Sequence, residues 1–519
     1  MKKIESITHS ATSVTIAVFI SRILGLVREQ VLAYFFGAGK SMDAFVVGYR
    51  IPNLLRDLFA EGALGSAFVK VFSSGLEKEG VEKSFKVAQI LISNFLIILI
   101  IVIFLGIIFA DVIVSIIAPE FKKDLYKFIL TTRLTQIMMP FLLFISLASI
   151  LAGMLNSFRI FFLPALSSGL FNLASIIIGV AGYYFLINRA IDPIYAMAVG
   201  VTLGGLFQVI FQYPLIKNKG FSFSFSPDFK DEYFKEVLRL MFPVILGLSV
   251  VQINIFINTF FATSCGEGAV SWYSYAFRIM YVPLGLFGVG LSQALLPELS
   301  RQIARRDFTM AKDTFSRAII VSLSLSIPSA IGLFMLSHPL IGVLFERGKF
   351  TFYDTLKTSQ ILQILSLGLP FYGLSKTAVP LFYSLGKTSI PAFGSIIAVI
   401  TNVAVILLTI KKLGINGVAL GTSSSLVFQS LFLLAMAIYK LGALDFKFML
   451  RSLFTLILAS LGLIGMLEIL NIFTLGKILK ILLSIPLGAI IFISICKILG
   501  PPETYLFFER FLKPFLRSK

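Results

Sequence analysis

The chain has 519 residues, of which 57% are hydrophobic and 14% are charged, and its mean hydropathy is +0.94. This composition excludes a soluble domain of this size and is typical of a polytopic membrane protein. The net charge of +19 does not indicate a nucleic-acid partner. The basic residues lie mostly in loops between apolar stretches, where membrane topology and anionic lipid headgroups account for them.

Residues of the kinds that ligate metals or form catalytic triads are few. The two cysteines, Cys265 and Cys496, are far apart, and the two histidines, His9 and His338, form no cluster. We therefore predict no metal site, no cofactor and no enzymatic activity. The first fourteen residues lack an apolar core followed by a small-residue cleavage site, so we expect no cleaved signal peptide.

Apolar runs long enough to cross about 30 Å of hydrocarbon follow one another along the chain. They lack the alternating pattern of a membrane β-barrel, so we expect helices, which satisfy their own backbone hydrogen bonds in lipid. The runs predict fourteen transmembrane helices, at 12–36, 42–69, 87–117, 128–155, 161–187, 193–216, 238–262, 268–296, 318–345, 354–385, 389–410, 415–439, 451–471 and 477–498.

The distribution of Lys and Arg between these helices predicts their orientation. About 26 lie on the side that holds both termini and about 11 on the other side, Lys127 among them. The bias places both termini in the cytoplasm. Three segments on that side, 228–240, 301–317 and 505–517, mix Phe and Leu with Lys and Arg at helical spacing, which is typical of helices lying in the headgroup plane.

The sequence contains an internal duplication. The first and seventh predicted helices both end in Phe-Phe followed by a Gly-containing turn, and the helices after them align at an offset of 228. The aligned pairs are Arg50-Ile51 with Arg278-Ile279, Leu58-Phe59 with Leu286-Phe287, and Gly62 with Gly290. Further on, Pro140-Phe141 matches Pro370-Phe371.

The duplication predicts an all-α polytopic membrane protein built from two six-helix pseudo-symmetric lobes, 1–225 and 226–450. A C-terminal helix pair and an interfacial tail follow in 451–519. Because each lobe has an even number of spans, the two lobes have parallel topology. Internal repeats of this kind are typical of secondary transporters that rock about a central site.

Charged residues interrupt the apolar runs of three predicted helices. On the second, Asp43, Arg50 and Asp57 are seven residues apart and share a face, with other polar groups nearby. The remaining members of this set are Asn53 and Glu61 near that face, Arg56 beside it, Arg22, Arg28 and Glu29 on the first helix, and Arg278 on the eighth. The amides Asn172 and Gln252 are interpreted as contacts between helices.

Three of these arginines lie deep in the predicted membrane. At about 1.5 Å per residue, Arg28 lies about 12 Å, Arg278 about 15 Å and Arg56 about 21 Å from the non-cytoplasmic ends of their helices. Each Arg at such a depth costs roughly 2.5–3.5 kcal/mol. Guanidinium groups that meet there suit a phosphate or pyrophosphate, because their planar donors pair bidentately with its oxygens.

An alternative interpretation is that nearby acids neutralise the cations in buried ion pairs. It fits Arg22 and Arg50 better than the three deep arginines. The available carboxylates are Glu29, Asp43, Asp57 and Glu61.

The residues of the first two helices resemble a known family. Ser21-Arg22-Ile23-Leu24-Gly25-Leu26-Val27-Arg28-Glu29, Asp43-Ala44-Phe45, Pro52-Asn53-Leu54-Leu55-Arg56 and Ala60-Glu61-Gly62-Ala63 resemble the MurJ (MviN) lipid II flippases of the MOP exporter superfamily. The resemblance covers the whole chain, including the 6 + 6 + 2 arrangement. The motifs of the first two helices are its specific part.

The resemblance implies a function and a location. It implies a flippase that moves lipid II, the undecaprenyl-pyrophosphate-linked disaccharide pentapeptide, across the bacterial inner membrane by alternating access for peptidoglycan synthesis. Lipid II and membrane lipids are then the partners, and contacts with the cell-wall synthesis machinery stay open. The last two helices, within 451–498, would line a groove for the lipid tail.

The resemblance also implies the site residues. Arg22, Arg28, Arg56 and Arg278 match essential arginines of a central cationic cavity, and Asp43 and Asn53 match polar positions of that cavity. Arg50 stands where Lys also occurs in the family, and Glu29 stands where Asp is common. Some members bind Na⁺ through carboxylates, but the matching positions here are Asn258, Asn402, Ile406, Val418 and Thr422. Because a hard cation prefers charged oxygen ligands, we predict no Na⁺ site.

Other functions stay open on the residues alone. Another MOP exporter, either a polysaccharide-lipid flippase or a multidrug exporter, is the nearest, although a drug exporter would need an acidic cavity for cationic drugs. A scaffold for cell-wall enzymes predicts that neutralising the arginines is harmless. A lipid-phosphate transferase needs carboxylates or histidines grouped at the headgroup plane, and the sequence has no such group.

Overall fold

The computed structural model of the protein describes residues 2–473 and 476–506, and these residues form helices and turns with no β-strand among them. Contacts between residues divide the chain into two compact units, Met1–Ser271 and Trp272–Lys519. The three segments proposed from the duplication, 1–225, 226–450 and 451–519, stay a prediction.

The first unit contains ten α-helices and a π-helical segment within its described residues. They are α1 (Lys2–Phe36), α2 (Lys40–Leu55), the π-helix (Arg56–Leu64), α3 (Gly65–Lys78), α4 (Val81–Ile108), α5 (Ala110–Ile117), α6 (Leu125–Met138), α7 (Phe141–Ser157), α8 (Phe162–Leu186), α9 (Ile194–Lys217) and α10 (Glu232–Thr263). A 3-10 turn, Pro119–Lys123, joins α5 to α6.

The second unit continues with nine helices in its described part. They are α11 (Ala269–Ala304), whose first three residues belong to the first unit, α12 (Phe308–Met335), α13 (Ser337–Phe345), α14 (Phe352–Leu367), α15 (Leu369–Ser384), α16 (Ser389–Leu413), α17 (Ile415–Leu441), α18 (Phe446–Ile472) and α19 (Lys477–Leu499). A short 3-10 turn, Pro502–Thr504, follows α19.

Each predicted span coincides with one helix or with a run of consecutive helices. The predicted span 128–155 divides at Pro140, and 354–385 divides just before Pro370. Proline lacks the backbone N–H and its ring clashes with the preceding turn, so it interrupts a helix. The duplicated prolines therefore interrupt both halves at equivalent places.

The helices have the composition of membrane spans. Within the described residues, ten are long and apolar enough to cross a membrane, with α6 and α7 taken together as one. Large apolar side chains on their outer faces are exposed, as in Leu408 and Ile472, which have 79% and 80% of their surface open. Such an apolar exterior is typical of a lipid-facing surface. The protein is therefore a multi-pass membrane protein, while the number of fourteen spans stays a prediction.

That the three interfacial segments lie in the headgroup plane stays a prediction, and the structure shows which helices contain two of them. Segment 228–240 includes the first turns of α10, and 301–317 includes the end of α11 and the start of α12. Asp231 and Asp307 cap α10 and α12 by accepting backbone N–H bonds three residues on, which lets these amphipathic residues continue directly into apolar helices. Segment 505–517 lies outside the described residues beyond Leu506, as does the side chain of Glu61.

Candidate functional site

Arg28 is buried in the first unit, where α1 packs against α8, with 9% of its surface exposed. Its Nη2 lies 3.3 Å from Oε1 of Glu29, and its guanidinium carbon lies 5.3 Å from the centre of the Phe171 ring. Among the described residues, neither Nε nor Nη1 of Arg28 has a hydrogen-bond acceptor. Buried cationic donors without acceptors are unfavourable, so these two nitrogens of Arg28 are candidate donors to an anionic oxygen.

Helix α8 fixes the backbone of α1 near this arginine. The Asn172 side-chain amide donates a hydrogen bond of 3.2 Å to the carbonyl oxygen of Ser21. A Cβ on Gly25 would lie 3.4 Å from the same amide nitrogen, so the two helices are in close contact there. The interpretation of Asn172 as a contact between helices is confirmed.

Arg56 opens the π-helix and is partly exposed. Its Nη2 and Nε donate to Oδ1 of Asp57 at 2.9 and 3.2 Å. Oδ2 of the same carboxylate accepts a hydrogen bond of 3.1 Å from Nε2 of Gln252 on α10, so Gln252 too is a contact between helices. The sequence did not predict π-helical geometry, which is rare and often found at functional sites.

Arg50 and Asn53 lie together in a cleft of the first unit. The cleft runs between α2 and α10, and its other lining residues include Gln252, Phe256 and Thr259. A three-residue spacing places Arg50 and Asn53 on one face of α2, as predicted from the sequence. In this cleft, Arg50 and Asn53 of α2 therefore lie opposite Gln252, Phe256 and Thr259 of α10.

The structure also gives the burial of the other predicted site residues. Arg22 is exposed on α1, and Arg278 is exposed on α11 in the second unit, while Glu29 is buried beside Arg28. The alternative that acids neutralise the deep cations is realised in part, because Glu29 and Asp57 contact two of the three arginines. That these arginines meet in one cavity stays a prediction.

Asp43 is fully buried at the end of the first unit where α1 ends and α2 begins, called here the far end. Its Oδ2 accepts from Nζ of Lys127 at 2.7 Å and from the backbone N–H of Gly268 at 2.8 Å. Its Oδ1 accepts from the N–H and hydroxyl of Ser271 at 3.0 and 2.6 Å. All four donors belong to the protein, so Asp43 is a structural anchor here.

Lys127 corrects an expectation from the sequence. The sequence places Lys127 in a loop on the non-cytoplasmic side. The structure instead places it within α6, where it is 6% exposed. Its ammonium lies 4.1 Å from the centre of the Phe121 ring. The one feature of the sequence that pointed to burial of Lys127 was its position two residues into an apolar run. A partner 84 positions away, Asp43, gives it a buried ion pair.

Other polar contacts surround this anchor. Lys40 pairs with Asp124 at 2.7 Å. Asp192 accepts hydrogen bonds from the hydroxyls of Ser41 and Tyr126 at 2.5 and 2.6 Å. The far end of the first unit is therefore held by several side-chain contacts between α2, α6 and the loops beside them.

No group of three or more His, Cys, Asp or Glu in the described ranges, 2–473 and 476–506, has the arrangement of a metal site.

Comparisons with known proteins agree on one family. The family model described as "Lipid II flippase MurJ" matches residues 32–484. A probable lipid II flippase MurJ of Buchnera aphidicola subsp. Schizaphis graminum is 34% identical over 95% of this chain and 97% of its own length. A lipid II flippase MurJ of Burkholderia cenocepacia is 33% identical over 70% of both chains.

Solved structures agree with this result. A structure titled as lipid II flippase MurJ in an inward closed conformation is 28% identical, with a TM-score of 0.78, and covers 97% of this chain and 99% of that one. An inward-facing MATE-family multidrug transporter of the MOP superfamily is 17% identical, with a TM-score of 0.65 over 81% of this chain and 95% of its own, and shows the shared fold alone. This chain belongs to the MurJ family of lipid II flippases.

Proposed function

We propose that the chain carries lipid II from the cytoplasmic to the outer leaflet of the bacterial inner membrane, and that it is a transporter and not an enzyme. Membership of the MurJ family supports the substrate. The observation that carries the site is Arg28, a buried guanidinium with two donor positions that no acceptor in the described part of the chain fills. An anionic oxygen is the group that satisfies such donors.

The diphosphate of lipid II is the part of the substrate that this site would bind. Arg28 donates to it through Nε and Nη1, and Arg56 and Arg278 add two further guanidinium groups. Arg22, Arg50 and Asn53 contribute polar surface around it, and Glu29 stays beside Arg28 as a counter-charge. The planar donors of arginine match the oxygens of a diphosphate, while the polyprenyl tail stays in lipid against the helices of 451–498.

Alternating access would move the headgroup. The contacts of Asp43 with Lys127, Gly268 and Ser271 support a state in which the far end of the first unit is closed. Passage to that side requires that these hydrogen bonds break. The membrane potential acts on the buried charges with about 2.3 kcal/mol per charge per 100 mV and supplies a drive for the cycle.

The proposal includes the predicted topology. Fourteen spans are arranged as two lobes of six and a final pair, and both termini face the cytoplasm. Lys and Arg in the short loops support this orientation, and the even number of spans follows from the duplicated halves. With this orientation, the far end of the first unit faces the outside of the cell.

Genetic rescue tests the proposal. In a bacterium depleted of its own flippase, the wild-type chain should restore growth, and Arg28→Ala, Arg56→Ala and Arg278→Ala should not, at equal expression in the membrane. Arg301→Ala is the matched control, because Arg301 is exposed and forms an ion pair with Glu298, three residues earlier on the same helix. It should rescue like the wild type.

The outcomes separate the rival functions. Full rescue by the three site variants contradicts the assignment of the site and favours a scaffold. A well-expressed wild type that fails to rescue contradicts lipid II as the substrate and favours another exporter of the superfamily. Growth should be followed together with the amount of lipid II that a reagent added outside the cells can reach.

A further inference from the structure

The Asp57 carboxylate accepts hydrogen bonds from the Arg56 guanidinium in the same way that a phosphate oxygen would. Two nitrogens of Arg56 converge on one oxygen of Asp57, at 2.9 and 3.2 Å. Carboxylate and phosphate oxygens are the acceptors that a guanidinium pairs with most strongly. A diphosphate that binds Arg56 therefore competes with Asp57 for the same donors.

The pair is accessible to such a competitor. The side chains of Arg56 and Asp57 are 22% and 26% exposed, whereas the side chains of the anchor pair Lys127 and Asp43 are 7% and 0% exposed. An ion pair whose side chains are about a quarter exposed is held less tightly than a fully buried one. The carboxylate of Asp57 is therefore easier to displace than the buried carboxylate of Asp43 at the far end.

Gln252 supplies a second partner for the displaced carboxylate. It is buried on α10, and its Nε2 donates to Oδ2 of Asp57 at 3.1 Å. This oxygen is not the one that accepts from Arg56, so the bond can remain when Oδ1 leaves. A charged carboxylate without a partner in the membrane would be costly, and Gln252 reduces that cost.

We propose that Asp57 is a built-in counter-ion of Arg56 that the substrate diphosphate displaces, and that Gln252 holds Asp57 after the exchange. Asp57 and Gln252 are then positioning residues that set how tightly the site binds diphosphate and how readily it releases it. This inference rests on the proposed function, since it concerns the same site. Its exchange step makes or breaks no covalent bond.

Binding of inorganic pyrophosphate to the full chain in zwitterionic lipid nanodiscs, measured by calorimetry, tests the inference. Asp57→Asn removes the competing charge, so pyrophosphate should bind about twofold to tenfold more tightly. Gln252→Met has a similar shape without the amide, and it should weaken binding by about twofold to fivefold. In a transport assay, D57N should lower both the half-saturating lipid II concentration and the maximal rate, because release loses its competitor.

The double variant makes the test specific. If Gln252 acts through Asp57, then Gln252→Met should have no effect on pyrophosphate binding in the D57N background. An equal loss in both backgrounds would mean that Gln252 only packs, and this outcome overturns the inference. Unchanged or weaker binding by D57N also overturns it.

Asp313→Asn is the control variant, because it removes the carboxylate of an exposed ion pair with Arg317, outside this site. It should bind pyrophosphate like the wild type, and thermal melting of every variant should verify folding. A wild type that does not bind pyrophosphate overturns both the diphosphate site and this inference. Binding by the wild type that D57N leaves unchanged overturns the inference alone.

Discussion

At the scale of single residues, burial alone does not decide what a charge in an apolar helix does. Asp43 accepts hydrogen bonds from four protein donors, whereas Arg28 keeps two nitrogens without an acceptor among the described residues. Each is a charge inside an apolar run, so the sequence gives both the same expectation of a functional role. The neighbours differ: Lys127 and Ser271 satisfy Asp43, while the Phe171 ring lies against Arg28.

Asp43→Asn should destabilise the folded protein by about 3–5 kcal/mol, because the buried ammonium of Lys127 loses its carboxylate. The free energy of unfolding and the melting temperature in detergent would measure this. Lys40→Met is the matched control at the same end of the unit, since its ion pair with Asp124 is open to water and should contribute little. An Asp43→Asn protein that melts like the wild type would contradict the expectation.

At the scale of helices, two ion pairs fasten the last described helix, α19, to earlier helices of the second unit. Nζ of Lys477, the first residue of α19, donates to both oxygens of Glu346 at 2.8 and 2.9 Å. Beyond the other end of α19, Glu503 pairs with Arg317 on α12. Both ends of α19 are therefore held by side chains from the helices that precede it.

The ion pair of Glu346 should make stability depend on pH. Burial raises the pKa of this carboxyl, but hydrogen bonds from Lys477 and Thr355 and the charge of Lys477 together hold it below its ordinary 4.5. A carboxyl whose folded-state pKa is lowered contributes stability above its unfolded pKa and loses it as the pH falls through the folded value.

Glu346→Gln should therefore lower the melting temperature at pH 7, and its difference from the wild type should shrink as the pH is lowered from 5 to 3. Thermal melts of both proteins across this range give the measurement. A difference that stays constant across the range would show that the charge of Glu346 does not stabilise the fold.

At the scale of the whole molecule, the duplicated halves use different chemistry at equivalent positions. Asp43 and Ser271 are 228 positions apart, which is the offset of the repeat, and they hydrogen-bond to each other. In the first half, the acid on α2 pairs with Lys127 on α6. In the second unit, the acid lies on α14 instead, where Asp354 accepts from the indole of Trp272 on α11 at 2.8 Å.

Cross-linking the far end of the first unit should stop transport if that end must open. A Cβ on Gly39 would lie 3.6 Å from Oε1 of Glu267, so Gly39→Cys and Glu267→Cys suit a short thiol cross-linker. The native cysteines, Cys265 and Cys496, are replaced by Ser first. After cross-linking, the amount of lipid II that a reagent outside the cells can reach should fall to background in the double variant. It should be unchanged in each single variant. Undiminished transport by fully cross-linked protein would contradict alternating access at this end.

The sequence by itself determined the helical membrane fold and the charges that needed an explanation, and it predicts the duplicated arrangement. Hydropathy, length and proline position are local properties, and they act through the lipid and the helix backbone whatever the tertiary contacts are. The predicted spans follow from them, whereas the division of the spans 128–155 and 354–385 near Pro140 and Pro370 appeared only in the structure. The family motifs around Arg28 and Arg56 are local in the same sense.

Only the tertiary structure decided which of those charges are satisfied. The partner of Asp43 is Lys127, 84 positions away, and the partner that holds Asp57 is Gln252, 195 positions away. No local pattern encodes such a pair, because side chains meet there only after the helices pack. Packing gives Asp43 four donors and makes it an anchor, whereas it leaves two nitrogens of Arg28 without an acceptor among the described residues, which is why we propose a ligand there.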